Sequence, residues 1–125
     1  MQPETLALLE DIRQAAGHIL GFAAGHNARE LESDVLLRSA AERQFEIIGE
    51  ALNRLVKYDH AVAERITEHR LIIAFRNRLV HGYNDIDYEV VWQAIQTSLP
   101  NLLSQVNSLI DIATKGTDPP SQDRA

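Results

Sequence analysis

Apolar residues return three and four positions apart along almost the whole chain, and nowhere do they alternate with polar ones over the length of a strand. That period belongs to the α-helix and leaves only a bundle of helices as the way to bury the apolar faces. The first helix reads from 3 to 25, with Pro3 in its first turn and Leu6, Leu9, Ile12, Ala16, Ile19 and Ala23 facing inward. Gly25-His26-Asn27 stops it, and the polar stretch to Asp34 supplies Ser33 or Asp34 as the next cap. A second helix, 34 to 57, carries Val35, Leu36, Ala40, Ile47, Ile48, Ala51, Leu52 and Leu55. A short helix over 59–68 turns Val62 and Ile66 inward. The next runs from 69 to 80 with Leu71, Ile72, Phe75, Leu79 and Val80 on its apolar side. Asp87 caps the last helix, Glu89 suits its first turn, and Gly116 ends it. Pro100 falls inside that helix and predicts a kink or local break. The expected architecture is all-α: an up-and-down bundle of four main helices plus one short one over 1–116. A disordered tail, 117–125, bears Pro119-Pro120 and no core residue.

A chain of 125 residues with 45% apolar content makes one packed domain. It has no cysteine, which removes disulfides and thiolate zinc sites. No apolar run approaches the roughly 20 residues of a membrane span and no basic-then-apolar leader is seen, so the expectation is a cytoplasmic protein with no membrane partner. The net charge of −6 argues against a broadly basic nucleic-acid binder. Charge is unevenly spread, however. Between Arg65 and His81, Arg65, Arg70, Arg76 and Arg78 face the single acid Glu68, with His69 and His81 beside them.

Two features of the second helix call for a reason. Gly49 lies in mid-helix, where it costs about 1 kcal/mol relative to alanine. Close approach of another backbone, within the bundle or between subunits, explains it better than catalysis. Glu42, Glu46 and Glu50 form a ladder at spacing four, better read as a solvated or partner-facing stripe than as an acid–base pair.

The positive segment ends in Phe75-Arg76-Asn77-Arg78-Leu79-Val80-His81-Gly82-Tyr83, followed by Asn84-Asp85-Ile86-Asp87. Gly82 is a natural helix stop, which puts His81 at the last helical position and Tyr83 on the surface just beyond. Five residues turn a helix by about 140° past one full turn, so Arg76 and His81 do not share a face. If they act together, the helix end distorts or a second chain supplies the other half. The plainer reading makes His81 a dipole-stabilised end residue and Arg76 a surface cation, with Asn84, Asp85 and Asp87 as turn and cap residues. Zinc fits poorly, since His18, His26, His60 and His69 are scattered. A magnesium site on Asp85 and Asp87 is an alternative that capping makes unnecessary.

The spacing of an arginine, four residues, a histidine, any residue and a tyrosine falls here on Arg76, His81 and Tyr83. With Ile47-Ile48-Gly49-Glu50-Ala51 upstream, it resembles the HEPN-domain toxins, specifically their HepT-like branch, over residues 3 to 114. The resemblance implies a homodimeric endoribonuclease toxin of a type II/VII-like toxin–antitoxin system. It also implies a partner, an MNT-type nucleotidyltransferase antitoxin that adenylylates Tyr83. Some HEPN relatives are instead non-catalytic binding modules that accompany nucleotidyltransferases, and the intact Arg76, His81 and Tyr83 count against that alternative.

Cleaving RNA without a metal or other cofactor needs a base for the 2′-hydroxyl and a cation for the charge that builds on the phosphate. His81 supplies the first, or the acid in the opposite subunit. Arg76 supplies the second as a bidentate clamp. Asn77 is an orienting donor and Arg78 a weaker RNA contact. One histidine per chain leaves the 5′-oxygen without an acid unless a two-fold axis brings another His81 close. DNA lacks the nucleophile.

Overall fold

The computed structural model of the protein describes residues 1–81 and 86–115. Its elements are α1 (Pro3–Ala23), α2 (Ala28–Ser33), α3 (Val35–Tyr58), α4 (His60–Ala63) and α5 (His69–His81). They are followed by α6 (Tyr88–Gln93), a π turn (Ala94–Ser98) and α7 (Leu99–Lys115). The described residues contain no strand. The all-α bundle with four main helical rods is therefore the fold, with two short helices rather than one.

Helix α3 is the spine. It packs on α1 along one side and on α5 along another, while α7 closes onto α1. Leu9, Ile12, Ala16 and Ile19 of α1 are fully buried at helical spacing. They meet Phe45, Ile48, Leu52 and Leu55 of α3 and Leu99, Leu102 and Val106 of α7 in one core. The buried ring of Phe45 meets Phe75 of α5 edge-on, with centroids 5.0 Å apart.

The inward face of α3 begins elsewhere than the sequence pattern predicts. Val35 and Leu36 are exposed, and Leu37, Ala41 and Phe45 are buried instead. Three consecutive apolar residues open this helix, and only Leu37 lies in phase with Ile48, Leu52 and Leu55.

The ends of the helices follow their side chains. Gly25 takes a left-handed φ of 80° just past α1, a conformation that favours glycine. Asn27 and Glu30 form a reciprocal capping box that starts α2, a helix the acid-rich sequence did not announce. Asp34 accepts from the backbone N–H groups of Leu36 and Leu37 and starts α3. Asp59 caps α4 through Val62 N–H and also accepts, at 2.9 Å, from the buried Thr5 hydroxyl of α1. The predicted 59–68 helix shortens to four residues, after which turns carry the chain to α5 with Ala63 and Ile66 buried. Gln105 of α7 holds that turn, accepting from Thr67 N–H at 3.0 Å and donating to Thr67 Oγ1 at 2.8 Å.

Pro100 does not break the last rod. Helical backbone runs through Ala94 and Leu99, and the π turn lies directly before the proline, with Leu99 N–H bonded to Ala94 O. A proline lacks the amide donor and presses on the carbonyl four residues back, here Gln96; a widened turn makes room for it without ending the helix. Gly116 and the 117–125 tail lie outside the described residues.

Candidate functional site

Helix α5 carries the candidate residues Arg76, Asn77, Arg78 and His81, and its packing on α3 decides how Arg76 is held. Gly49, buried on α3, faces the Arg76 stem so closely that a β-carbon on Gly49 would sit 2.3 Å from Arg76 Cβ and 2.5 Å from its Cγ. The missing side chain is what lets the aliphatic part of Arg76 lie against α3. The expectation of a close approach at Gly49 therefore has its answer inside the bundle, and the neighbour is a side chain rather than a backbone.

Arg76 is half-buried as a result, not a free cation at a polar helix end. Its Nε is shielded from solvent and has no hydrogen-bond partner among the described residues. Its Nη1 donates to Asn77 Oδ1 at 3.1 Å. Asn77 thus meets the guanidinium through its carbonyl oxygen, which leaves its amide N–H groups as donors. Arg78 is exposed and lines a hollow of about 240 Å³ with Phe75, Ile86 and Asp87 between α5 and α6.

Arg76 and His81 belong to the same α-helix, with His81 its last residue, so the helical offset of about 140° between their positions stands. Gly82, Tyr83, Asn84 and Asp85 lie outside the described residues, and with them the modification site and half of the magnesium alternative. Asp87 caps α6, accepting from Glu89 N–H at 3.0 Å. Among the described residues no group of three histidine or acidic side chains is placed to hold a metal ion.

The structure adds a cluster that the sequence did not assemble. His69 is buried at the start of α5 with Nδ1 2.8 Å from Ile66 O. A carbonyl can only accept, so Nδ1 carries a proton. The other ring nitrogen lies 3.4 Å from Glu64 Oε2, which also approaches His60 Nε2 at 3.5 Å and Arg70 Nη2 at 3.7 Å. Only the His60–Glu64 spacing of four was legible beforehand.

The two remaining tyrosines are engaged. Tyr88 donates to Glu42 at 2.8 Å, under an Arg38 guanidinium 5.7 Å from its ring. Burial, and then the hydrogen bond to Glu42, push its phenol up to about 12. Glu42 is in this way a tie between α3 and α6 rather than part of a solvated stripe. Tyr58 donates to Gln2 at 2.9 Å.

Fold and site together define a class: a small helical bundle in which one helix carries an arginine braced from across the core and a histidine at its end. The chain belongs to the HepT-like ribonuclease family, whose description, "Ribonuclease HepT-like", matches residues 12–109. A Methanocaldococcus jannaschii protein named "Putative RNase" is 29% identical over 100 residues, 80% of this chain and 91% of that protein. A "Putative RNase" of Caldanaerobacter subterraneus subsp. tengcongensis is 28% identical over 82% of this chain and 90% of its own. The "Probable ribonuclease HepT" of Thermococcus cleftensis is 28% identical over 81% and 91% respectively. No solved structure gives a significant match. No helix among the described residues is long and apolar enough to cross a membrane.

Proposed function

We propose that the protein is a metal-independent endoribonuclease toxin of a type II/VII-like toxin–antitoxin system, acting as a homodimer in the cytoplasm with Arg76 and His81 at a shared cleft. His81 takes the proton of a ribose 2′-hydroxyl, the 2′-oxygen bonds to phosphorus, and the bond from phosphorus to the 5′-oxygen breaks. Arg76 bears the charge that builds on the non-bridging oxygens, oriented by Asn77, with Arg78 as a further RNA contact. The 5′-oxygen takes its proton from His81 of the partner subunit, because each chain brings one such histidine. The products are a 2′,3′-cyclic phosphate and a 5′-hydroxyl.

The observation that carries this reading is the bracing of Arg76. A guanidinium whose stem is seated on Gly49 and whose Nη1 is bonded to Asn77 is held in place before any anion arrives. Such a group stabilises developing charge without having to reorganise at the moment of reaction. An unselected surface arginine has no cause for this support.

Control acts on the same helix end. A nucleotidyltransferase antitoxin transfers AMP from ATP to the Tyr83 hydroxyl with release of pyrophosphate, and the new phosphodiester then competes for Arg76. The hydrogen bonds that Tyr58 and Tyr88 make elsewhere favour Tyr83 as the acceptor.

The test is RNA cleavage in the presence of EDTA by wild type, His81→Ala and Arg76→Gln, the last keeping a stem on Gly49. Wild type leaves cyclic phosphate ends and each variant loses at least a hundredfold of the rate, in line with the roughly 10²–10⁴ that a general base or an oxyanion donor contributes. Cleavage abolished by EDTA and restored by magnesium would overturn the mechanism.

A further inference from the structure

Between the last turn of α3, α4 and the first half of α5 runs an open groove of about 330 Å³, and Asn77 forms one end of it. Its volume lies at the low end of the roughly 300–1,000 Å³ of small-molecule sites. Val56 and Ile73 give it an apolar floor. His60, His69 and Arg70 stand along its wall, all gathered within 4 Å of one carboxylate, Glu64. Three basic groups against one acid leave donors to spare. None of the three contacts, at 3.4, 3.5 and 3.7 Å, is as short as a good hydrogen bond. His60 and Arg70 are also largely exposed, so both can turn to an incoming anion.

We propose that this groove is a subsite for the nucleotide next to the scissile phosphate, Arg70 and His60 binding the flanking phosphate and the apolar floor taking the face of the base. The assignment rests on the ribonuclease reading above and extends it to substrate selection. Continuity is the argument. Asn77 lines the groove and also accepts the hydrogen bond from Arg76, so the guanidinium lies one hydrogen bond from the groove's end. A strand whose scissile phosphate rests on Arg76 crosses Asn77 into a channel with the donors of Arg70 and His60 on its wall and the aliphatic side chains of Val56 and Ile73 beside them. Donors to phosphate and a surface for the face of a base are the two components by which single-stranded nucleic acid is held, the surface here being aliphatic rather than aromatic. Contacts made here bear on a base beside the cut, and so on which sequences are cut.

The probe is a fluorescent twelve-residue RNA with 2′-O-methyl riboses, which has no 2′-hydroxyl to attack, titrated by anisotropy at several salt concentrations. His60→Ala and Arg70→Ala should each weaken binding by about threefold and together by about tenfold, and Arg70→Ala should flatten the salt slope by about 0.7, the value of one single-strand phosphate contact. Arg65→Ala, outside the groove, is the control. With cleavable RNA, the double variant should raise KM more than it lowers kcat and change the base preferred beside the cut. Wild-type cleavage with the double variant binding and cutting alike would overturn the subsite and leave the ribonuclease standing. Wild type that neither binds nor cuts RNA would remove both. If 5′-AMP displaces the oligonucleotide at concentrations near the oligonucleotide's own Kd, the groove is a mononucleotide site and the proposal falls.

Discussion

Gly49 and Arg76 are matched across the α3–α5 contact: the space that a Cβ on the glycine would take, 2.3 Å from Arg76 Cβ, is filled by the arginine's own stem. No side chain can be added at the glycine without moving the arginine. Gly49→Ala should therefore destabilise the fold by about 1–3 kcal/mol, the usual range for overpacking, and displace Arg76 so that RNA cleavage falls with it. Gly21→Ala in α1, where nothing lies within 4 Å of the added carbon, should instead gain about 0.5–1 kcal/mol. Urea midpoints of the two variants, measured beside their cleavage rates, check the contrast.

The proposed sharing of catalysis across a two-fold axis can be tested by complementation. Arg76→Gln and His81→Ala homodimers should both be inactive. Mixed and allowed to exchange subunits, they form heterodimers in which one site can pair a native Arg76 from one chain with a native His81 from the other. Cleavage should stay at background, since a mixed dimer holds a single native His81 and so lacks either the base or the acid. Recovery toward about a quarter of the wild-type rate, in a mixture shown by native mass spectrometry to contain heterodimers, would show that one His81 suffices and remove the partner's His81 as the acid.

Tyr83→Phe should retain nuclease activity and resist inactivation by the proposed nucleotidyltransferase partner and ATP. Intact mass before and after incubation is the measurement. An AMP-sized gain of equal extent on wild type and Tyr83→Phe would place the modification elsewhere.

Tyr88 gives a pH dependence of stability with a definite sign. Its phenol titrates near 12 in the fold, against about 10 in an unfolded chain. The fold therefore favours the protonated form, and the contribution is complete below about pH 10 and lost as pH rises toward 12. Urea midpoints of wild type should fall across that window. Tyr88→Phe, which also removes the bond to Glu42, should start lower and fall less steeply.

How much of this was legible in the sequence follows from what each feature depends on. Asp34, Asp87 and Gly25 act on their own helix ends, and local chemistry identifies them. The face of α1 is a regular period and reads correctly. The start of α3 does not, because Val35, Leu36 and Leu37 are equally apolar, and only the phase of Ile48, Leu52 and Leu55 further along the helix singles out Leu37 as the buried one. The motif residues of α5 were visible as types at a spacing. The half-burial of Arg76 was not, since it arises from a glycine 27 positions earlier (76 − 49) brought beside it by packing. The groove was hidden for the same reason: His60 and Glu64 come from α4 and its end, His69, Arg70 and Asn77 from α5, and Val56 from α3.

The π turn before Pro100 makes the length of the last rod as consequential as its composition. One extra residue accommodated in a helical turn shifts the phase of everything downstream by about 100°. Val91 ahead of the turn, Ile95 within it and Leu99, Leu102 and Val106 beyond it all reach the same core, so their spacing is tuned to the wider turn. A single-residue deletion within Ala94–Ser98 would leave every apolar side chain of α7 in the chain yet point most of them away from α1. In this segment an evolutionary gap is more disruptive than almost any substitution, and alignments of relatives should show exchanges there but constant length.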